Sequence, residues 1–457
     1  MRAVIMAGGQ GKRLVQQAGC IWRDLPKPLV PIAGIPILER ELAVLRQQGF
    51  TDILMTVSYR SEVIENYFGD GSKDSPITGK PFGVRIQYFR EEVPLGNAGA
   101  LLKLREELTE DFLLLNADVL FDVDLCRFVD FHRNHGGWVT IFTHPNSHPY
   151  DSGLIMAERN GQVTRWITKE ESRPVYYNNR VNAGLHIISP KALYQCDVDP
   201  DKIGCQDAAT GKILKVDLDR SILKPLSRQG KMFCYDSSEY VKDMGTLERH
   251  LQVEKDVDAG IVEARNLRNK QKAIFLDRDG TINRYRGYVS SEEDFELLPG
   301  VAEAIKKINE SSYLCLVITN QPVLARGEMT FDGLEEIHRK METLLGYQGA
   351  YIDGLYFCPH HPDSGFIGEV PNLKVKCDCR KPEIGLVKKA VEKFNIDLEK
   401  SWFIGDGWRD VRCGQNAGMH TCLLIGECGV KEDYEQELTC SSLLEAVNRI
   451  FAKEKEL

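Results

Sequence analysis

The 457-residue sequence predicts an α/β protein of two domains, and three observations carry that expectation. Length is the first, because a single hydrophobic core stops growing well short of this size. The second is alternation: short runs rich in Val, Ile and Leu take turns with amphipathic helical stretches through most of the chain. The third is one local pattern that occurs twice. An apolar strand runs straight into a polar, glycine-bearing loop at 3–7, followed by Gly8-Gly9-Gln10-Gly11, and again at 273–276, followed by Asp277-Arg278-Asp279-Gly280-Thr281. Ligands of open α/β sheets sit beyond the carboxyl ends of strands, so each such start marks a site.

Taken in order, Met1-Arg2-Ala3-Val4-Ile5-Met6-Ala7 is too short an apolar stretch for a signal peptide and meets glycines and basic residues at once, so it reads as a buried first strand. The runs 53–57, 112–115 and 314–318 read as strands, and 334–345 and Gly385–Phe394 as helices. The charged, proline-free stretch 250–271 reads as the last helix of the first domain passing into a linker. The domain limits are then 1–255, a charged helical linker over 256–271, and 272–457. No run of 18 apolar residues is present, so no membrane-spanning helix is expected. A net charge of −9 gives no basic footprint for nucleic acid. Thirteen cysteines, mostly without regular spacing, suit a reducing compartment and predict a cytoplasmic protein. The pattern does not encode the oligomeric state.

In the first half, Gly8, Gly9 and Gly11 let backbone N–H groups approach phosphate oxygens, and Lys12 and Arg13 add charge. Leu25-Pro26-Lys27-Pro28-Leu29 places Lys27 in a proline-stiffened loop. Pro94-Leu95-Gly96-Asn97-Ala98-Gly99 is a small-residue turn able to take a flat ring against its backbone. Leu113-Leu114-Leu115-Asn116-Ala117-Asp118 ends a buried strand on a carboxylate suited to Mg²⁺, and Asp243-Met244-Gly245-Thr246 offers a second one. With Asn182-Ala183-Gly184, this ordered set resembles the nucleotide-diphospho-sugar transferases, nearest the mannose-1-phosphate and heptose-1-phosphate guanylyltransferases, over about residues 1–255. The resemblance implies a Rossmann-like domain with a mixed sheet. It also implies that Gly8, Gly11, Arg13 and Lys27 hold a nucleoside triphosphate and that Gly96 and Asn97 face the base. Asp118 and Asp243 would hold Mg²⁺, and Lys169, Asn182 and Gly184 would meet the sugar phosphate. Three positions depart from the family: Lys12 in place of Thr, Ala117 in place of Gly, and Thr168-Lys169-Glu170 in place of Glu-Lys-Pro.

In the second half, Asp277 and Asp279 stand two residues apart at a strand end, where one carboxylate can attack phosphorus and the other can handle the leaving group's proton. Thr319-Asn320 ends another strand, Arg380-Lys381-Pro382 brings fixed positive charge, and Phe403-Ile404-Gly405-Asp406 supplies a third carboxylate. These four motifs resemble the haloacid dehalogenase superfamily of phosphatases over about 272–430. By that resemblance Asp277 is the nucleophile and Asp279 the acid/base. Asp277, Asp279 and Asp406 surround Mg²⁺, and Thr319, Asn320, Arg380 and Lys381 bind phosphate. Asp410 is a further contributor. Cys358-Pro359-His360-His361 and Cys377-Asp378-Cys379 offer three thiolates and an imidazole, the donor set of a tetrahedral structural zinc. His360 is preferred over His361 because the subfamily of heptose-1,7-bisphosphate and histidinol-phosphate phosphatases uses Cys-x-His. Cys20, Cys315 and Cys413 read as ordinary thiols, His144 and His148 as loop residues, and Trp166, Trp402 and Trp408 as packing.

Together the two resemblances predict an enzyme of small molecules. It would dephosphorylate a heptose 1,7-bisphosphate at C7 and then activate the 1-phosphate to an NDP-heptose, GDP-heptose being nearest by resemblance. Two alternatives stand: a mannose-1-phosphate guanylyltransferase fused to a histidinol-phosphate-type phosphatase, and a non-catalytic sugar-nucleotide sensor regulating the phosphatase.

Overall fold

The computed structural model describes residues 1–9, 14, 22, 25–206, 211–425 and 433–456. The chain divides into two compact units. The first comprises Met1–His144, Gly153–Ile167 and Asn182–Asn266, and the second Pro145–Ser152, Thr168–Val181 and Leu267–Leu457.

The heart of the first unit is the strand Ala3–Met6, flanked in parallel by Asp52–Val57 and Phe112–Asn116. Arg85–Arg90 extends the parallel part beyond Asp52–Val57. On the other side Val181–Ile188 runs antiparallel to Phe112–Asn116, which makes the sheet mixed. Alternate side chains serve opposite faces: Ala3, Ile5, Leu113 and Leu115 enter one core, and Val4 and Leu114 enter another. Both faces are covered, which is why the Leu113-Leu114-Leu115 run is continuously apolar. Helix Ile37–Gln47 lays Leu38, Leu42 and Leu45 into the first core at helical spacing. A separate two-stranded ribbon pairs Tyr240–Asp243 antiparallel to Val119–Asp122, with Asp243 opposite Val119.

The stretch expected as a linker is largely packed. Helices Leu247–Asp258 and Ile261–Ala264 bury Val253, Ile261 and Val262 in a small core with Ile32, Leu120 and Tyr240. The change of unit falls between Asn266 and Leu267. Two excursions from the N-terminal sequence, 145–152 and 168–181, group with the second unit. There Tyr177 N donates to Thr343 Oγ1 at 2.9 Å and Asn179 N to Glu342 Oε2 at 2.6 Å. Sequence patterning reads a domain as one contiguous stretch, so excursions of this kind leave no signal in it.

The second unit is built on six parallel strands in the order Gly354–Cys358, Tyr313–Asn320, Lys272–Leu276, Trp402–Gly405, His420–Leu424, Leu438–Cys440. Ile274 and Leu276 face one core and Ala273 and Phe275 the other. Helix Phe331–Tyr347 buries Leu334, Ile337, Met341 and Leu345. Among the described residues no helix is long and apolar enough to cross a membrane.

Candidate active sites

In the first unit, three strand ends converge on a cavity of about 500 Å³, lined among others by Gly8, Gly9, Lys27, Gly96, Asn97 and Asp118. The ribbon brings the two candidate metal carboxylates to one place, since Met244 N donates to Asp118 O at 3.0 Å. Asp243 Oδ1 accepts from Gly245 N at 2.9 Å, and Thr246 Oγ1 caps the following helix by accepting from Arg249 N at 3.3 Å. The Asp-x-Gly-Thr spacing is therefore a turn that aims Asp243 from the mouth of a helix. Lys27, only 9% exposed, pairs with Asp118. Arg249 Nη1 holds both oxygens of Asp243 at 2.8 Å. Burial alone would raise the Asp243 pKa, but Arg249, Gly245 N and Lys27 outweigh it and hold the carboxyl below its ordinary range.

The small-residue turn is locked from behind. Gly96 has φ +86°, and a Cβ there would meet Val216 O at 2.3 Å. Asn97 Oδ1 accepts from Leu218 N at 2.7 Å. Asn182 Oδ1 accepts from Gly184 N at 3.1 Å and meets Nε2 of the buried His186 at 3.1 Å. Lys169 lies on the excursion 168–181. Gly11, Lys12, Arg13 and Cys20 lie outside the described residues.

In the second unit, Asp277, Thr319-Asn320 and Asp406 all stand at carboxyl ends of parallel strands. Lys381, 2% exposed, spends all three ammonium protons among them. It reaches Asp277 Oδ1 at 2.6 Å, Asp410 Oδ1 at 2.6 Å and Ile318 O at 2.9 Å. Burial would lower the Lys381 pKa, but Asp277 and Asp410 override it and keep the ammonium charged. Asn320 clamps the lysine's backbone, accepting from Lys381 N at 3.0 Å and donating to Lys381 O at 3.2 Å. Asp277, Asp406 and Asp410 bring ligand oxygens within 4.8 Å of one another. Burial pushes Asp277 up to about 7, with Lys381 opposing and Asp410 adding. Burial, Asp277 and Asp410 lift Asp406 to about 7 as well. Three carboxylates facing one ammonium leave the site short of positive charge, which fits a divalent cation.

Asp279 stands outside that cluster. Arg278, fully buried, donates to both of its oxygens, and Asn283 and Gln321 add bonds at 3.0 and 2.8 Å. Burial opposes, yet Arg278, Asn283 and Gln321 hold its pKa below the ordinary range. Asp410 plays a larger part than its sequence context conveys: its Oδ2 accepts from Gly407 N at 3.1 Å at the start of helix Trp408–Asn416, which leaves Oδ1 for Lys381. Its spacing of four residues from Asp406 was the available signal; Arg249 and Arg278 carried none.

The four predicted soft ligands also converge. Cys379 Sγ lies 3.2 Å from Cys358 Sγ, 3.3 Å from Cys377 Sγ and 3.2 Å from His360 Nδ1, and Cys358 Sγ lies 3.6 Å from Cys377 Sγ. A tetrahedral zinc with sulfur at about 2.3 Å spans edges of about 3.8 Å, so the donor set fits such an ion after slight expansion. His361 turns away, its Nδ1 accepting from Asp363 N at 3.2 Å. Arg380 Nη1 donates to His360 O at 3.2 Å, tying the cluster to the residue beside Lys381. Trp166 and Trp402 are buried, and Trp408 is half exposed.

Residues 2–259 match the nucleotidyl transferase family model, and residues 378–446 match the HAD-hydrolase-like one. The D-glycero-beta-D-manno-heptose-1,7-bisphosphate 7-phosphatase of Haemophilus ducreyi is 36% identical over 181 residues, 39% of this chain and 97% of that protein. Its namesake in Escherichia coli K12 is 37% identical over 153 residues, 34% of this chain and 78% of that protein. Among solved structures, HddC from Yersinia pseudotuberculosis complexed with GMP-PN is 22% identical with a TM-score of 0.42, covering 56% of this chain and 99% of HddC. The D,D-heptose 1.7-bisphosphate phosphatase of B. bronchiseptica, complexed with magnesium and phosphate, is 28% identical with a TM-score of 0.35, covering 40% of this chain and 99% of that one.

Proposed function

The chain belongs to the nucleotidyl transferase family in its N-terminal half and to the HAD-like hydrolases of the heptose-bisphosphate phosphatase kind in its C-terminal part, and on that premise we propose that it makes an NDP-heptose in two steps. The phosphatase half removes the C7 phosphate of D-glycero-D-manno-heptose 1,7-bisphosphate. The transferase half then moves a nucleotidyl group, GMP by resemblance, from the triphosphate to heptose 1-phosphate and releases pyrophosphate. One observation carries the reading: a chain that covers 97% of a heptose-bisphosphate phosphatase also holds a nucleotidyl transferase, whose substrate class is the phosphatase's product.

In the first step an Asp277 oxygen attacks phosphorus, the bond to the C7 oxygen breaks, and Asp279 gives that oxygen its proton. Asp279 then takes a proton from the water that hydrolyses the aspartyl-phosphate. This role requires Asp279 to turn from Arg278 toward the substrate and to take up a proton there, because its present bonds hold it ionised. Thr319, Asn320, Arg380 and Lys381 would bind the phosphoryl oxygens, for which Lys381 gives up one of its three present acceptors. Asp277 and Asp406, with Asp410, would hold Mg²⁺, which supplies charge neutralisation when bound. In the second step the sugar-phosphate oxygen attacks the α-phosphorus in line, so positioning and charge suffice. Lys27 and the loop of Gly8, Gly9, Gly11, Lys12 and Arg13 would hold the triphosphate. Asp118 and Asp243 would hold Mg²⁺, and Asn182 and Gly184 would meet the sugar phosphate. Cys358, His360, Cys377 and Cys379 would hold a structural zinc that steadies Arg380 through His360.

The test is a one-pot reaction of Mg²⁺, heptose 1,7-bisphosphate and each nucleoside triphosphate, read by mass spectrometry. An NDP-heptose with equal phosphate and pyrophosphate is the expected product. Phosphate without pyrophosphate for every base would sink the transferase half of the reading.

A further inference from the structure

Gln321 takes no step in the mechanism above, yet it stands between residues that do. It directly follows Thr319-Asn320 at the end of strand Tyr313–Asn320 and is 2% exposed. Its side-chain Oε1 accepts from Arg278 Nη2 at 3.0 Å. Its Nε2 donates to Asp279 Oδ2 at 2.8 Å and to Thr319 Oγ1 at 2.9 Å. Its backbone N donates to Cys358 O at 2.8 Å, which seats it from the neighbouring strand. We propose that Gln321 is a positioning residue of the phosphatase site, turning the Thr319 hydroxyl so that its proton points to the phosphoryl group. This rests on the phosphatase reading given above.

The partners leave the amide one orientation. A guanidinium only donates and a carboxylate only accepts, so the amide oxygen faces Arg278 and the nitrogen faces Asp279. The nitrogen carries two protons. With one on Asp279, the other falls to Thr319 Oγ1, which therefore accepts. A hydroxyl ordinarily rotates to suit its surroundings. Here a buried donor claims its acceptor side, and among the described residues no acceptor takes its own proton. That proton is left for a ligand. Arg278 on Oε1 keeps the amide in this sense when Asp279 turns away.

The strand ends put that hydroxyl beside the nucleophile. Lys381 Nζ bonds Ile318 O at 2.9 Å and Asp277 Oδ1 at 2.6 Å, and Ile318 immediately precedes Thr319. The register sets Leu276 beside Val317 on parallel strands, so both chains reach the site at the same level. Ionised phosphate oxygens accept hydrogen bonds. A hydroxyl that presents its proton to them gains a charge-assisted bond, and one that presents a lone pair gains nothing.

The experiment uses the full-length protein with Mg²⁺. Turnover is followed as p-nitrophenol from p-nitrophenyl phosphate and as heptose 1-phosphate from the 1,7-bisphosphate, with inorganic phosphate as competitive inhibitor. Thr319→Val should raise the inhibition constant of phosphate and the KM of both substrates on the order of tenfold, the worth of one hydrogen bond to a charged group. Gln321→Met, close in size but without a donor, frees the hydroxyl among three staggered positions and should raise them about threefold. Gln321→Glu, whose carboxylate accepts the hydroxyl's proton, should raise them about as far as Thr319→Val. In the Thr319→Val protein, Gln321→Met should add no further rise. Melting temperatures are read for every variant, and where Gln321→Glu melts early beside Asp279, Gln321→Met carries the test. An equal effect of Gln321→Met with and without the Thr319 hydroxyl would overturn the proposal, since a merely structural glutamine acts alike in both. Phosphate binding in Thr319→Val equal to the parent's would overturn it too. Turnover of the aryl ester alone would remove the heptose reading, and the same ratios, read on that ester, would still decide the proposal. No turnover of either substrate would overturn both.

Discussion

Replacing Gly280 by alanine should silence the phosphatase while leaving the fold in place. Gly280 has φ +81°, and a Cβ there would stand 1.9 Å from Asp406 Oδ2 and 2.5 Å from its Cγ. Real Cβ contacts under 3.0 Å are essentially never seen, so the Asp406 carboxylate must retreat by at least about 1.1 Å. A misplacement of about 1 Å costs on the order of a hundredfold in rate. The left-handed backbone adds about 1–2 kcal/mol of strain, which lowers melting by a few degrees. Gly287→Ala separates the two effects, because Gly287 shares the conformation at φ +79° but nothing lies within 4 Å of its added Cβ. Phosphate release from heptose 1,7-bisphosphate and nucleotidyl transfer to supplied heptose 1-phosphate would be measured for both variants. Gly280→Ala should lose about a hundredfold in phosphate release, Gly287→Ala should stay near the parent, and transfer should stay near the parent in both. Phosphate release within threefold of the parent in Gly280→Ala would refute the reasoning that Asp406 must sit where it does.

Three other perturbations separate the parts of the molecule. Asp277→Asn should cut phosphate release by at least about a thousandfold and spare transfer to supplied heptose 1-phosphate, while Asp118→Ala should do the reverse; loss of both activities in either variant would deny their independence. Elemental analysis should find about one zinc per chain, and Cys377→Ser should lower the melting of the second unit before that of the first; metal-free protein with an unchanged melt would end the zinc reading. Burial holds His186 neutral, with its pKa pulled from 6.5 to about 4. The unfolded chain therefore takes up that proton first, and stability is lost as pH falls from about 6.5 toward 4. The loss from this group reaches about 3 kcal/mol. His186→Leu should show a shallower decline across that window in calorimetric scans, and equal slopes would count against the burial argument.

Strand ends were legible in the sequence because burial on both faces writes itself as unbroken apolar runs. The expected strand 112–115 is Phe112–Asn116, and 53–57 is Asp52–Val57. The expected helix 334–345 begins a turn earlier at Phe331, because Thr330 Oγ1 caps it through Gly333 N at 3.1 Å. Residues that act by contacting a partner distant in sequence were not legible. Arg278 has no role assigned by its spacing, yet it is fully buried on Asp279, His338 and Gln321. Arg249 is one more basic residue on a charged helix until the turn at Gly245-Thr246 sets Asp243, six residues earlier, beside it. Period and spacing report local structure, and the contacts of Arg278 with His338 and Gln321 belong to tertiary structure.

The ribbon that aligns Val119 with Asp243 has a consequence for how the transfer site fills. Each acidic side chain there already has a tethered counter-ion, Lys27 for Asp118 and Arg249 for Asp243. On the proposal that Asp118 and Asp243 hold Mg²⁺, the ion would enter by exchange, displacing an ammonium and a guanidinium. On its own the ion competes with partners that never diffuse away. Arriving with a polyanionic nucleotide, it would free two cations as phosphate oxygens come to claim them. On that proposal metal and nucleotide would each be admitted more readily by the other's presence.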